Sequence, residues 1–167
     1  MLKMGRRVPM RSLQRDVEAL RRIPLFAGLP TARLKLIAYA AETVEFEPGD
    51  VMVQEGQPPD AVEIIIDGEA EVCLPTPAGQ KRRLWTIGRH SVVGDTAVLC
   101  QGRGAATVRA KGRVVAFKIS STLFIDLIRR NPDLGMRIMT LLAQRLEQST
   151  VLLRQVEEHR EEHGPTE

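Results

Sequence analysis

Thr43-Val44-Glu45-Phe46-Glu47-Pro48-Gly49-Asp50 is where the grammar of this 167-residue chain changes. Val44 and Phe46 alternate with Glu45 and Glu47, the period-two pattern of a half-buried strand, and Pro48-Gly49-Asp50 turns it. The same pattern continues downstream. Residues 51–54 read as a short strand and 56–60, with Pro58 and Pro59, as a loop. Strands are expected over 61–66 and 69–74, separated by the tight-turn dipeptide Asp67-Gly68. A further strand over 82–87 stops at Gly88, and 105–110 with 113–119 read as a hairpin around Lys111-Gly112. One helical turn fits at 95–100. Short strands broken by frequent turns predict a mainly β fold with flanking helices, an antiparallel jelly-roll β-barrel or double-stranded β-helix.

Helical periodicity brackets this region. Leu13, Val17 and Leu20 recur at i, i+4 and i+7 behind Ser12, a candidate cap, and Pro24 ends the run. Thr31 is expected to cap a second helix to about 41 with Leu34, Ile37 and Ala38 inward. On the other side, Ser120 and Ser121 read as a cap for a helix carrying Leu123, Phe124, Leu127 and Ile128, which stops at Asn131-Pro132. A longer helix then runs over 132–162. Its Leu142, Leu146, Ser149, Leu153 and Val156 alternate in steps of four and three, a heptad-compatible seam. The expected organisation is a basic arm over 1–11, an N-terminal helical bundle over 12–42, a β-roll over 43–120, C-terminal helices over 121–163 and a tail over 164–167.

Composition is that of an ordinary globular chain, and the net charge of +3 is uneven. Lys3, Arg6, Arg7, Arg11, Arg15, Arg21 and Arg22 crowd the start, and Glu157, Glu158, Glu161 and Glu162 the end. No base-reading motif accompanies the basic arm, so no specific nucleic-acid partner is expected. Cys73 and Cys100 form no C-x-x-C pair, no secretory leader pattern opens the chain, and no apolar run reaches membrane-spanning length. A cytoplasmic location follows as the expectation. His90, His159 and His163 do not make a ligand cluster, so no metal is expected. No nucleophile elbow, P-loop or dinucleotide fingerprint occurs, and the chain does not read as an enzyme.

Four stretches in order carry a resemblance. They are Ile23-Pro24-Leu25-Phe26-Ala27-Gly28-Leu29, Phe46-Glu47-Pro48-Gly49-Asp50 to Glu55-Gly56, Ile66-Asp67-Gly68-Glu69-Ala70-Glu71-Val72, and Ile87-Gly88-Arg89-His90-Ser91-Val92-Val93-Gly94-Asp95. With helix-turn-helix before and a long helix after, they resemble the cyclic-nucleotide-binding domain. That family includes the sensor half of catabolite-activator-type regulators and the protein kinase A regulatory subunits. The last stretch leads into a phosphate-binding cassette over 94–108.

The resemblance implies a ligand, cAMP or cGMP, and no cofactor. Gly94 lets the main chain approach the ligand, and Thr96 and Ala97 lie in the short helix whose N–H groups face the phosphate. Asp95 accepts from the ribose 2′-hydroxyl, and Arg103 neutralises the phosphate. Gly104, Ala105 and Thr107 complete the loop, and Val93, Trp85 and Ile66 wall the pocket. The chain departs from the pattern in three places. Asp95 stands where Glu is usual. Alignment on Ala106-Thr107-Val108 puts Gly104 in the Arg column, with Arg103 displaced by one residue. His90 and Val93 replace a typical Gly and Phe.

The resemblance further implies a sensor that signals through its C-terminal helix, hinged near Asn131-Pro132, to a second copy or a partner protein met by Leu142, Leu146, Leu153 and Val156. Only hydrophilic residues follow Val156, so a stand-alone module without a DNA-reading helix is expected. The alternative is a degenerate pocket in a domain that serves for dimerisation or docking.

Overall fold

The computed structural model describes residues 5–8, 12–75 and 81–163. Arm positions 1–4 and 9–11 (Lys3 and Arg11 among them), the loop 76–80, the tail 164–167 and the side chains of His159 and His163 lie outside the described residues.

Helix α1 (Leu13–Arg21) leads through a 3-10 turn (Pro24–Phe26) to α2 (Thr31–Ala40). Nine strands are present among the described residues: β1 (Arg6–Arg7), β2 (Glu42–Phe46), β3 (Val51–Val53), β4 (Ala61–Asp67), β5 (Ala70–Pro75), β6 (Lys81–Ile87), β7 (Val92–Val93), β8 (Thr107–Ala110) and β9 (Val114–Ser120). Helix α3 (Asp95–Leu99) sits between β7 and β8, and α4 (Ser121–Arg130) and α5 (Pro132–His163) follow β9. The strands form two sheets, ordered β1-β2-β9-β4-β7 and β3-β8-β5-β6, with every pairing antiparallel.

The turn at Lys111-Gly112 does not make the expected hairpin: β8 and β9 belong to different sheets, and so do β4 and β5 on either side of Asp67-Gly68. These turns carry the chain across from one sheet to the other. The reason is burial on both faces of the central strands. Val62, Ile64, Phe117 and Ile119 pack on the helices, while Ile65, Val114 and Ala116 pack inward. A β8–β9 hairpin in one sheet would cost β9 one of its two neighbours, β2 or β4, which together bury it. The edge strand β1 had no sequence signal, because two arginines give no alternation.

Two apolar cores result. One lies between the sheets, where Val44, Phe46, Ile65, Val93, Val114 and Ala116 meet Ala70, Val72, Val108 and Ala110. The other lies between the outer face of the five-stranded sheet and the helices, and includes Leu20, Phe26, Leu34, Ile37, Phe124, Leu127, Leu134 and Ile138. Burying aliphatic and phenyl side chains of this size stabilises by roughly 1.5–3 kcal/mol each.

The caps are mixed. Ser120 Oγ accepts from the Leu123 N–H at 3.3 Å, as expected. Ser12 holds the cap position of α1 without a side-chain cap bond. Thr31 is not the cap of α2. Pro30 occupies that position, Thr31 begins the helix, and its Oγ1 accepts from Arg21 Nη2 at 3.1 Å.

Candidate functional site

The cassette is built where β7 ends against β4. Glu63 and Ile64 of β4 pair with Val93 and Val92, so the chain leaves the five-stranded sheet at Gly94 beside the start of β4. Gly94 has φ +85°, and a Cβ on it would come 3.0 Å from the Ala61 carbonyl. Only glycine takes that left-handed geometry in that space without strain. The turn it makes starts α3 at Asp95.

Asp95 is 2% exposed and both carboxylate oxygens are occupied. Arg145 Nη1 on α5 donates to Oδ1 at 2.9 Å and to Oδ2 at 3.0 Å, and its Nη2 donates to the Val92 carbonyl at 2.6 Å. The residue expected to meet a ribose hydroxyl is thus held by the terminal helix. A buried carboxylate needs a charge partner, because desolvation without one is costly. Arg145 was not singled out in the sequence. Its only signal was an arginine one position before Leu146 of the apolar seam.

Arg103 is exposed, and its Nη1 donates to the Gly56 carbonyl at 2.8 Å rather than reaching Asp95. The whole loop is tied to the β3–β4 connection: Gly56 N–H donates to the Gly104 carbonyl at 2.9 Å, and Gly104 N–H to the Gln57 carbonyl at 3.0 Å. A Cβ at 104 would lie 2.8 Å from the Gln54 carbonyl oxygen. No side chain fits at the aligned arginine position, so Arg103 is the cation this loop has to offer.

Thr107 is buried, and its Oγ1 accepts from Glu55 N–H at 3.3 Å and Gln54 Nε2 at 3.4 Å, so its hydroxyl pins the end of β3. Thr96 and Ala105 are exposed. Ala97 is buried under α3 and lines a groove of about 770 Å³ toward α4, with Pro59, Gln101, Ser121 and Asp126. That groove flanks the cassette through Ala97, Val98, Gln101 and Gly102 and takes in none of the other candidate residues.

Of the expected pocket wall, Val93 is buried between the sheets. Trp85 pairs with Val72, whose side chain faces the inter-sheet core, so the indole is on the inward face. It is nevertheless 43% exposed, on a strand at the edge of its sheet. Ile66 is a correction. Strand alternation puts it on the helix side with Val62 and Ile64, where it packs on the other core and lines a shallow hollow with Arg89 and His90. His90, at φ +69°, takes the left-handed conformation a glycine would hold. Burial and then the neighbouring Arg89 hold its pKa below the usual histidine value.

Helix α5 is 32 residues long. Leu134 and Ile138 are buried against the body, and Leu141 and Leu142 pack partly on the same core. Beyond them Leu146 is 70%, Leu153 66% and Val156 57% exposed. No described helix is long and apolar enough to cross a membrane.

Comparison with known proteins gives a consistent answer. The chain is 29% identical over 118 residues to the cAMP-dependent protein kinase regulatory subunit of Blastocladiella emersonii, covering 71% of this chain and 29% of that subunit. Among solved structures, the Thermus thermophilus catabolite activator protein superposes with TM-score 0.70 at 23% identity, over 80% of this chain and 63% of that one. The regulatory subunit of a cAMP-independent protein kinase A from Trypanosoma brucei superposes with TM-score 0.68 at 27% identity, over 85% and 54% respectively. The chain therefore spans only part of the length of each. The family model of the cyclic nucleotide-binding domain matches residues 43–131, the stretch from β2 to the end of α4 that builds both sheets and the cassette, and this chain belongs to that family.

Proposed function

We propose that the chain is a regulatory module that binds a cyclic nucleotide, cAMP in the first instance, and relays occupancy through α5 to a second copy or a partner protein. In this reading the two sheets close as a jelly roll around the ligand, and the module acts in a reducing cytoplasm by binding rather than by catalysis. The phosphate sits on the amides of 94–97 with Arg103, and the base lies toward Trp85.

The Arg145–Asp95 pair carries the reading. The carboxylate that should receive a ribose hydroxyl is already latched to α5, so a ligand that engages Asp95 must join that network or release the guanidinium. Either way its affinity differs between latched and released α5, and differential affinity is what moves a conformational equilibrium. Arg103 makes one exposed bond to a neutral carbonyl. A phosphate offers the guanidinium an opposite charge and a bidentate acceptor, neither of which the carbonyl supplies. The name of the Blastocladiella relative supports cAMP as the first ligand to test.

The second reading is a fold that keeps its shape and has lost its ligand. Asp95, Arg103 and Thr107 all have partners within the chain, and the Trypanosoma neighbour is described as cAMP-independent. Calorimetric titration separates the two. The binding reading expects saturable micromolar heat with cAMP that Arg103→Ala abolishes; no heat at millimolar cAMP or cGMP selects the docking module.

A further inference from the structure

A second cavity, of about 500 Å³, opens between β2, β3 and β4. None of Asp95, Arg103, Thr107 and Arg145 lines it. Its walls are apolar, chiefly Val44, Phe46, Val51 and Val53. Glu63 is among the residues that line it, 6% exposed, with Oε2 lacking any hydrogen-bond partner. Buried polar atoms are almost always satisfied, so an orphan carboxylate oxygen on a residue that lines a cavity calls for a physical reason.

The neighbours do not supply one. Glu42, Lys118 and Glu63 stand in a row across β2, β9 and β4. Lys118 Nζ lies 3.3 Å from Asp60 Oδ2, and Arg7 of β1 pairs with Glu42. These four charges satisfy one another at the rim and leave Glu63 over. Of the remaining strands, β3 brings only Gln54 near its end, and β7 brings Val92 and Val93. The volume lies within the range of small-molecule sites, roughly 300–1,000 Å³, whose usual design is an apolar wall with one or two convergent polar groups.

We propose that this cavity binds a small organic ammonium ion with an apolar body, its N–H groups on the Glu63 carboxylate and its hydrocarbon against Val44, Phe46, Val51 and Val53. The ammonium charge neutralises the one acid the rim leaves unpaired. Binding is linked to a proton. Burial pushes the Glu63 carboxyl up to about 8, outweighing the lowering by Lys118, while Asp60 raises it further. The free site is mostly protonated at neutral pH, and the ammonium takes the proton's place. Affinity therefore tightens about tenfold per pH unit up to a pH of about 8 and then levels.

The test is titration of the full chain with phenethylammonium, followed by calorimetry and by amide NMR shifts. Saturable binding that tightens about tenfold between pH ~6.5 and ~7.5, with release of about one proton, is expected. Glu63→Gln, which keeps the side chain's shape, should weaken it at least about tenfold, and so should replacing the amine by 2-phenylethanol. Shift changes should fall on β2, β4 and β9. If Glu63→Gln does not fold, the pH slope and the alcohol comparison decide. No saturation by about 20 mM amine, equal binding of the alcohol, a flat pH profile, or shifts confined to Asp95 and α5 would each overturn the proposal.

Discussion

At the residue scale, the arrangement turns on Arg145. It was illegible in the sequence because its partner lies 50 residues away and nothing local marks a basic residue on a helix as a latch. Asp95 was legible, as the acid after a glycine at a helix start, but its engagement was not. Removing the guanidinium leaves a buried carboxylate alone. Arg145→Ala should lower unfolding stability by about 1–3 kcal/mol, below the full cost of breaking a buried pair because Arg145 keeps partial contact with water. Urea denaturation of the two single variants and the double variant with Asp95→Ala measures the coupling; a value near zero would mean the pair holds nothing. Glu63 was visible as the one charge in the apolar run 61–66 and was passed over as part of a strand. Its proton stays on in the folded chain up to about 8, whereas the ordinary value is 4.5. In that window the folded state holds a proton that the unfolded state has lost, so stability falls as pH rises, by at most about 1.4 kcal/mol per pH unit from this group. Glu63→Gln should flatten the dependence of the urea midpoint on pH between those limits, and an unchanged slope would remove Glu63 as its source.

At the element scale, strands and helices were read well wherever burial is one-sided or periodic. Leu34, Ile37 and Ala38 do face inward, and Ser120 does cap α4. Sheet membership was not readable. Asp67-Gly68 and Lys111-Gly112 look like hairpin turns locally, and only the two-sided burial of β4 and β9 sends their flanking strands to different sheets. The seam of α5 divides in the same way. Leu142 rests on the body, while Leu146, Leu153 and Val156 face outward. A helix of this length extends about 48 Å, and an exposed apolar stripe along its outer half calls for a partner. If that partner is a second copy, sedimentation equilibrium should show a dimer at micromolar concentration, and Leu153→Glu should weaken association at least about tenfold. A wild-type chain that stays monomeric at about 100 μM would exclude self-pairing as the role of this face.

At the scale of the whole molecule, the two cores divide the labour. The helix-side core fixes α4, the first half of α5 and, through Val92, Val98 and Leu99, the start of the cassette to the five-stranded sheet, and the inter-sheet core holds Val93 before the cassette and Ala106 and Val108 at its end. Arg145 ties α5 to the start of the cassette, through both Asp95 and Val92. In the proposed function, motion of α5 and occupancy of the cassette are coupled through this one side chain, and such a coupling acts equally in both directions. Trp85 allows this to be read directly. It is the only tryptophan in the chain, and it lies half-exposed on the inward face of β6. The decisive measurement is the emission of Trp85 during titration with cAMP, in the wild-type chain, in Arg103→Ala and in Arg145→Ala. The account predicts a saturable change in the wild type, its loss in Arg103→Ala, and a midpoint displaced by about fivefold or more in Arg145→Ala. A spectrum that stays constant to millimolar cAMP, or a midpoint indifferent to both arginines, would contradict it.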